Sequence, residues 1–185
     1  MTMAKRFPLL SRILHWTMAV LILAMLFIGI AMVSSLSDYH LLVAIHKPLG
    51  MLILVLMALR LVNRLLRPPP PLPAAMPGLL RLAAHGSHLL LYGLMFTLPL
   101  VGWAMLSAAN YPVMLVGPLH LPPIIPPSDA LYAVLRPLHT VLALLLFATF
   151  LAHLGAALTH ALIFRDGVFR SMVAWRRNPR AGQGH

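Results

Sequence analysis

The chain contains no cysteine. That excludes disulfides, cysteine-bound iron–sulfur clusters and covalent C-x-x-C-H haem attachment. Acid is nearly as scarce, with 3 Asp and Glu among 185 residues. They are Asp38, Asp129 and Asp166, and none lies inside an apolar run. Proton relays built on carboxylates, and metal sites that need them, therefore have nothing to use within the apolar segments. Charged residues of either sign make up 9% of the chain, against about 25% in an average soluble domain. No segment is left over for a soluble catalytic module.

What is present is apolar, at 61% of residues. Four windows, 13–33, 42–61, 82–106 and 138–164, meet the rule of about 20 apolar residues per bilayer crossing. The expected fold is all-α, an integral membrane four-helix bundle forming one domain over residues 1–185. The first run is longer than the usual 7–15-residue signal core and lacks a small-residue cleavage site, so it reads as a retained span. The net charge of +11 is a topology signal and not a nucleic-acid footprint. Lys5, Arg6, Arg12, Arg60, Arg64, Arg67, Arg81, Arg165, Arg170, Arg176, Arg177 and Arg180 all fall toward one face. Only Lys47 and Arg136 fall toward the other. By the positive-inside rule both termini are cytoplasmic, with the basic tail resting on anionic membrane lipids.

"RPPPPLP" from Arg67 to Pro73 cannot be helical and reads as a stiff connector. A proline-rich outward loop is expected over about residues 107–137, lying as a lid on the membrane surface. No internal repeat is evident.

Ionisable residues inside spans are costly and by default mark function. His15 lies near the cytoplasmic end of the first span, and His46 near the outward end of the second. The fourth span carries His139 and His153. Fourteen residues place these about 21 Å apart along a helix and within about 40° of one stripe. Matching by depth pairs His15 with His153 and His46 with His139. Two facing imidazole pairs suit two haems with axial histidines, which carry electrons and leave no open iron position. A bare zinc ion wants three or four clustered ligands, and no carboxylate is at hand.

The blocks "SRILHWTMAVLILA", "AIHKPLGMLILVLMALRLVNRLLRPPPP", "LAAHGSHLLLYGLMFTLPLVGW" and "RPLHTVLALLLFATFLAHLGAALTHALIFRDGVFRSM" resemble successive segments of the bacterial cytochrome b561 family. The likeness is greatest to its branch of small di-haem proteins that includes superoxide oxidase. The resemblance implies two haems b per chain, with His15, His46, His139 and His153 as axial ligands. It also implies a place in the bacterial inner membrane and the quinone pool, ubiquinone in particular, as electron acceptor.

The remaining polar groups fit that expectation in different degrees. His88 and Tyr92, one turn apart on the third span, could wall a quinone pocket, and His160 could deliver protons there. Helix-end anchoring is the plain alternative for both histidines and the preferred one for His85. His40, His120 and His185 fall in loops or the tail. Arg12 could pair a haem propionate or a lipid phosphate. Trp16 and Trp103 fit an aromatic belt, and the methionines read as packing. Lys47 and Arg136, each beside an outward histidine, could neutralise propionates or draw a small anionic donor such as superoxide. Two rival readings remain: a haem-bearing anchor relaying electrons for a periplasmic dehydrogenase, and a haem-free histidine transporter.

Overall fold

The computed structural model describes residues 7–68, 77–166 and 168–173. Its four long helices are α1 (Leu9–Ser34), α2 (Tyr39–Leu66), α3 (Gly78–Ala108) and α4 (Asp129–Thr159). All four are long and apolar enough to cross a membrane. At about 1.5 Å per residue, the 31 residues of α3 and of α4 exceed a hydrocarbon layer of about 30 Å. Their ends must therefore reach into the headgroup region. α1 packs along α2, α2 against α3, and α3 along α4. The backbone of α4 follows neither α1 nor α2 closely.

One end of the bundle carries the start of α1, the end of α2, the start of α3 and the end of α4; we term it the terminal end. The opposite, hairpin end carries a two-stranded antiparallel hairpin, β1 (Val113–Val116) and β2 (Leu119–Leu121). Gly117, at φ 55°, takes the left-handed conformation its turn requires.

The fourth helix starts at Asp129, nine residues before the expected span, so the outward loop covers 109–128 and stops well short of Pro137. Ser128 accepts a hydrogen bond from the Leu131 N–H at 3.3 Å, and Asp129 sits in the first turn. Both favour a helix N-terminus, and they outweigh the single backbone bond that Pro137 removes from the helix interior. Pro48 and Pro99 are likewise inside α2 and α3. α2 stops at Leu66 because Arg67 precedes Pro68 and is biased away from helical angles. The rest of the proline connector, residues 69–73, lies outside the described residues, as do Lys5, Arg6, Arg176, Arg177, Arg180 and His185.

The loop is tied down rather than laid loosely over the bilayer. Trp103 Nε1 donates to the Pro122 carbonyl at 3.0 Å, the Ile124 N–H donates to Ser107 Oγ at 3.2 Å, and the Ser128 N–H donates to the Ala108 carbonyl at 2.9 Å. At the terminal end, Trp16 Nε1 donates to the Met172 carbonyl at 3.2 Å. That bond fastens the short helix α5 (Val168–Val173) to α1. Both indoles thus make specific bonds within the chain in addition to any interfacial role.

The core sits midway along the bundle. Met18 and Ile22 from α1, Ile53 and Met57 from α2, Leu94, Met95 and Leu98 from α3, and Leu146 from α4 form one buried cluster. Lipid tails are as apolar as these side chains, so the layer gains from close packing rather than from escape from water. Met18 and Met57, 2% and 1% exposed, fill the irregular space between helices as flexible thioethers do.

Candidate functional site

Leu146 lies seven residues from His139 and seven from His153. The apolar layer therefore separates two polar levels on one stripe of α4. At the hairpin end His46 and His139 face each other with ring centroids 6.3 Å apart. At the terminal end His15 and His153 do so at 6.4 Å. These are the pairs that depth matching expects, bridging from α4 to the two helices its backbone does not follow.

Each level has its own neighbours. A Cβ placed on Gly102 would come within 3.2 Å of His139 Cε1, so any other residue would press on that ring and push it back by a few tenths of an ångström. The Nδ1 atoms of His46 and His139 are buried and carry no hydrogen bond. Lys47 is half-buried beside His46, and Arg136 is exposed one turn before His139. Among the described residues neither cation has a hydrogen-bond or ion-pair partner for its side chain.

The terminal level is more crowded. His88 on α3 approaches His153 to 5.4 Å between centroids, closer than His15 does. Helical period alone expected His88 only to wall a nearby pocket. The neighbourhood of α3 and α4, which no period reveals, brings it against the ring itself. Arg60 of α2 reaches the same place. Its Nη2 donates to His15 Nδ1 at 3.0 Å, and its Nε donates to the Tyr92 hydroxyl at 3.0 Å. Arg64 lies over the same tyrosine ring, 5.3 Å from its centroid. Sequence reasoning counted Arg60 only as a topology cation; its position inside the run "MALRLVNRLL" was the available signal of function. Arg12 is buried at 8% exposure, so its side chain is withdrawn from the surface where lipid phosphates lie.

His160 does not stand alone. It opens a single wide turn, His160–Phe164, that ends α4, and its Nδ1 donates to Asp166 Oδ2 at 2.6 Å. The carboxylate also accepts from the Val168 N–H at 3.1 Å, which fixes it at the start of α5. His85 is exposed and donates Nδ1–H to the Arg81 carbonyl one turn back at 2.7 Å. His120 donates to the Pro118 carbonyl at 3.1 Å within the hairpin, and His40 stands edge-to-face with Tyr39.

Four apolar helices holding imidazole pairs at two depths define a class: membrane bundles that keep their functional polar groups on a central stripe. Among known families, the profile of the prokaryotic cytochrome b561 family matches residues 6–175. A curated relative, cytochrome b561 homolog 2 of Escherichia coli K12, is 31% identical over 173 residues, 91% of this chain and 92% of that one. Cytochrome b561 homolog 1 of the same organism is 28% identical over 141 residues, 76% and 80% of the two chains. The chain belongs to the cytochrome b561 family, whose members are membrane electron-transfer proteins that normally bind haem b.

The residues present fit that group. A metal–imidazole bond is about 2.0 Å long, so two rings on opposite sides of one metal have centroids about 6.3 Å apart. Both pairs match that separation. The bare Cα of Gly102, pressed against the His139 ring, suits the close packing of a flat macrocycle there. At the hairpin end no side chain holds either Nδ1 atom. At the terminal end the donor set fits once Arg60 releases His15.

Proposed function

We propose that this chain carries electrons across the bacterial inner membrane from an outward donor to the quinone pool, with ubiquinone as the acceptor. The observation that carries the reading is the pair of imidazole pairs, 6.3 and 6.4 Å apart, on either side of one apolar layer. The cation distribution supports a cytoplasmic terminal end, with both chain termini there, and an outward hairpin end. His46 and His139 would hold one haem b and His15 and His153 a second, with Arg12 adding positive charge at the inner level. Haem b held by two imidazoles supplies one-electron transfer without an open coordination position.

The chain's own residues divide the remaining work. Gly102 lets α3 lie close against the His139 ring, and Leu146 with its neighbours excludes water between the levels. Asp166, as a carboxylate, holds the His160 proton on Nδ1, so Nε2 of the neutral ring can accept a proton or a hydrogen bond. Once Nε2 has taken up a proton, His160 would donate a hydrogen bond and then that proton to a quinone carbonyl at the terminal end, with His88 beside it. The double variant His88→Gln/His160→Gln is expected to lower quinone turnover at least tenfold. Optical spectra and haem reduction by donor should persist. Unchanged turnover would move the quinone site elsewhere.

The outward donor that the charge pattern suits is a small anion, of which superoxide is the proposed case. Lys47 and Arg136 are the outward cations beside His46 and His139, and a focused positive potential raises on-rates by about 10–10³. Stepwise optical reduction of the purified chain tests the whole scheme. Two six-coordinate b-type components should appear, reduced by superoxide and reoxidised by ubiquinone. The superoxide step should slow several-fold with rising salt and with Lys47→Gln. A colourless chain sinks the electron-carrier reading; coloured chain with salt-independent reduction removes only the anion.

A further inference from the structure

Two guanidiniums crowd one tyrosine at the terminal end without a carboxylate to answer them. Arg60 and Arg64 lie 5.7 and 5.3 Å from the centre of the Tyr92 ring. The chain's three carboxylates are committed elsewhere: Asp38 and Asp129 belong to the hairpin end, and Asp166 is held by His160. Half-buried positive charge of this density calls for an anion. A guanidinium presents a fork of donors matched to a carboxylate.

The bond from Arg60 to His15 adds a second constraint. Arginine only donates, so His15 Nδ1 accepts and its ring proton sits on Nε2. A neutral imidazole bound to iron through Nε2 carries its proton on Nδ1. Two donors cannot share that hydrogen bond, so Arg60 must then turn to another acceptor. Tyr92, which already bonds Arg60 Nε through its hydroxyl, holds the side chain within reach while it turns.

We propose that Arg60 and Arg64 form the carboxylate-binding site for the two propionates of the terminal-end haem, with Tyr92 as the plate that positions both guanidiniums. This rests on the haem placement proposed above. It assigns the propionate contacts to α2.

The test uses the haem-loaded protein in a neutral maltoside detergent free of phospholipid. Haem release is followed by transfer to excess apomyoglobin, and midpoint potentials are read by optical redox titration. The terminal-end component is defined as the one that His15→Ala removes. Arg60→Gln and Arg64→Gln should each speed its release at least tenfold and lower its midpoint, because positive charge beside a haem favours the reduced form. The hairpin-end component should stay unchanged and shows that the bundle is intact. Arg60→Lys should restore the midpoint, and it carries the test with Arg64→Gln if Arg60→Gln fails to accumulate. Tyr92→Phe, which keeps the ring and loses the hydroxyl, should speed release less than either glutamine variant. Wild-type release from both glutamine variants would overturn the proposal, as would Tyr92→Phe acting as strongly as Arg60→Gln. An arginine effect that appears only when anionic phospholipid is added would assign the site to lipid headgroups instead. A wild-type chain with no haem at this level would defeat the parent reading, which is a separate outcome.

Discussion

Replacing His46 or His139 with alanine should lower the haem content of the purified chain from about two per chain to about one. Replacing both should lower it no further. The same holds for His15 and His153, and the haem lost must be the other one. The reason is geometric. Each member of a pair lies 6.3 or 6.4 Å from its partner across the bundle, whereas the two levels are fourteen residues apart on α4. One missing imidazole leaves a macrocycle without its second axial bond, and no carboxylate or cysteine is present to substitute. His88 gives the test an extra edge at the terminal level. At 5.4 Å from His153, it is the one residue placed to rescue His15→Ala, so His15→Ala/His88→Ala should remove any haem that the single variant retains. Pyridine haemochrome counts and redox titrations of the four single variants decide the matter. If His15→Ala and His46→Ala diminish a common component, the pairing is wrong.

The second large effect is expected at Leu146. Leu146→Asp puts an acid in the packed layer midway between the levels, where a carboxylate at a helix centre costs about 3 kcal/mol, and it also removes the leucine from its contacts. The variant should accumulate poorly, and what accumulates should melt well below the wild type in detergent. Leu146→Met keeps volume and apolarity and should cost less than about 1.5 kcal/mol. Size-exclusion profiles after a temperature ramp separate the two. Equal melting of Leu146→Asp and Leu146→Met would mean that the layer is not the packed centre of the bundle.

The features legible in the sequence are those carried by the period of one helix. His139 and His153 share a stripe because fourteen residues are close to four turns, and span count gave the depth of His15 and His46. The pairing required nothing else. What could not be read depends on how helices neighbour one another or on which way a flexible chain turns. His88 meets His153 because α3 lies along α4, which no single-helix pattern encodes. Arg60 has a stem long enough to reach outward to water or inward to His15, and a census of charges records the same cation in both cases. Its burial follows from Tyr92 standing on the adjacent helix as a partner. The boundary of α4 was misplaced for a local reason. The apolar run starts at residue 138, yet the cap at Ser128 starts the helix well before it. Asp166 was correctly set outside the apolar runs, but the wide turn that swings His160 onto it has no marker in the pattern of apolar residues.

The dry layer around Leu146 also fixes the electrical character of any transfer through this bundle. Its inward side chains, Met18, Ile22, Ile53, Met57, Leu94, Met95, Leu98 and Leu146, offer no group along which a proton could hop. On the function proposed above, an electron that crosses it would cross alone, and the protons for quinone reduction would be drawn from the terminal side only. Such a passage would be electrogenic. The resting voltage acts on it directly, at about 2.3 kcal/mol per charge per 100 mV for a full crossing. An interior-negative membrane opposes inward electron flow and assists the reverse. In sealed vesicles, dissipating the voltage with an ionophore should thus release a brake that no detergent assay can register.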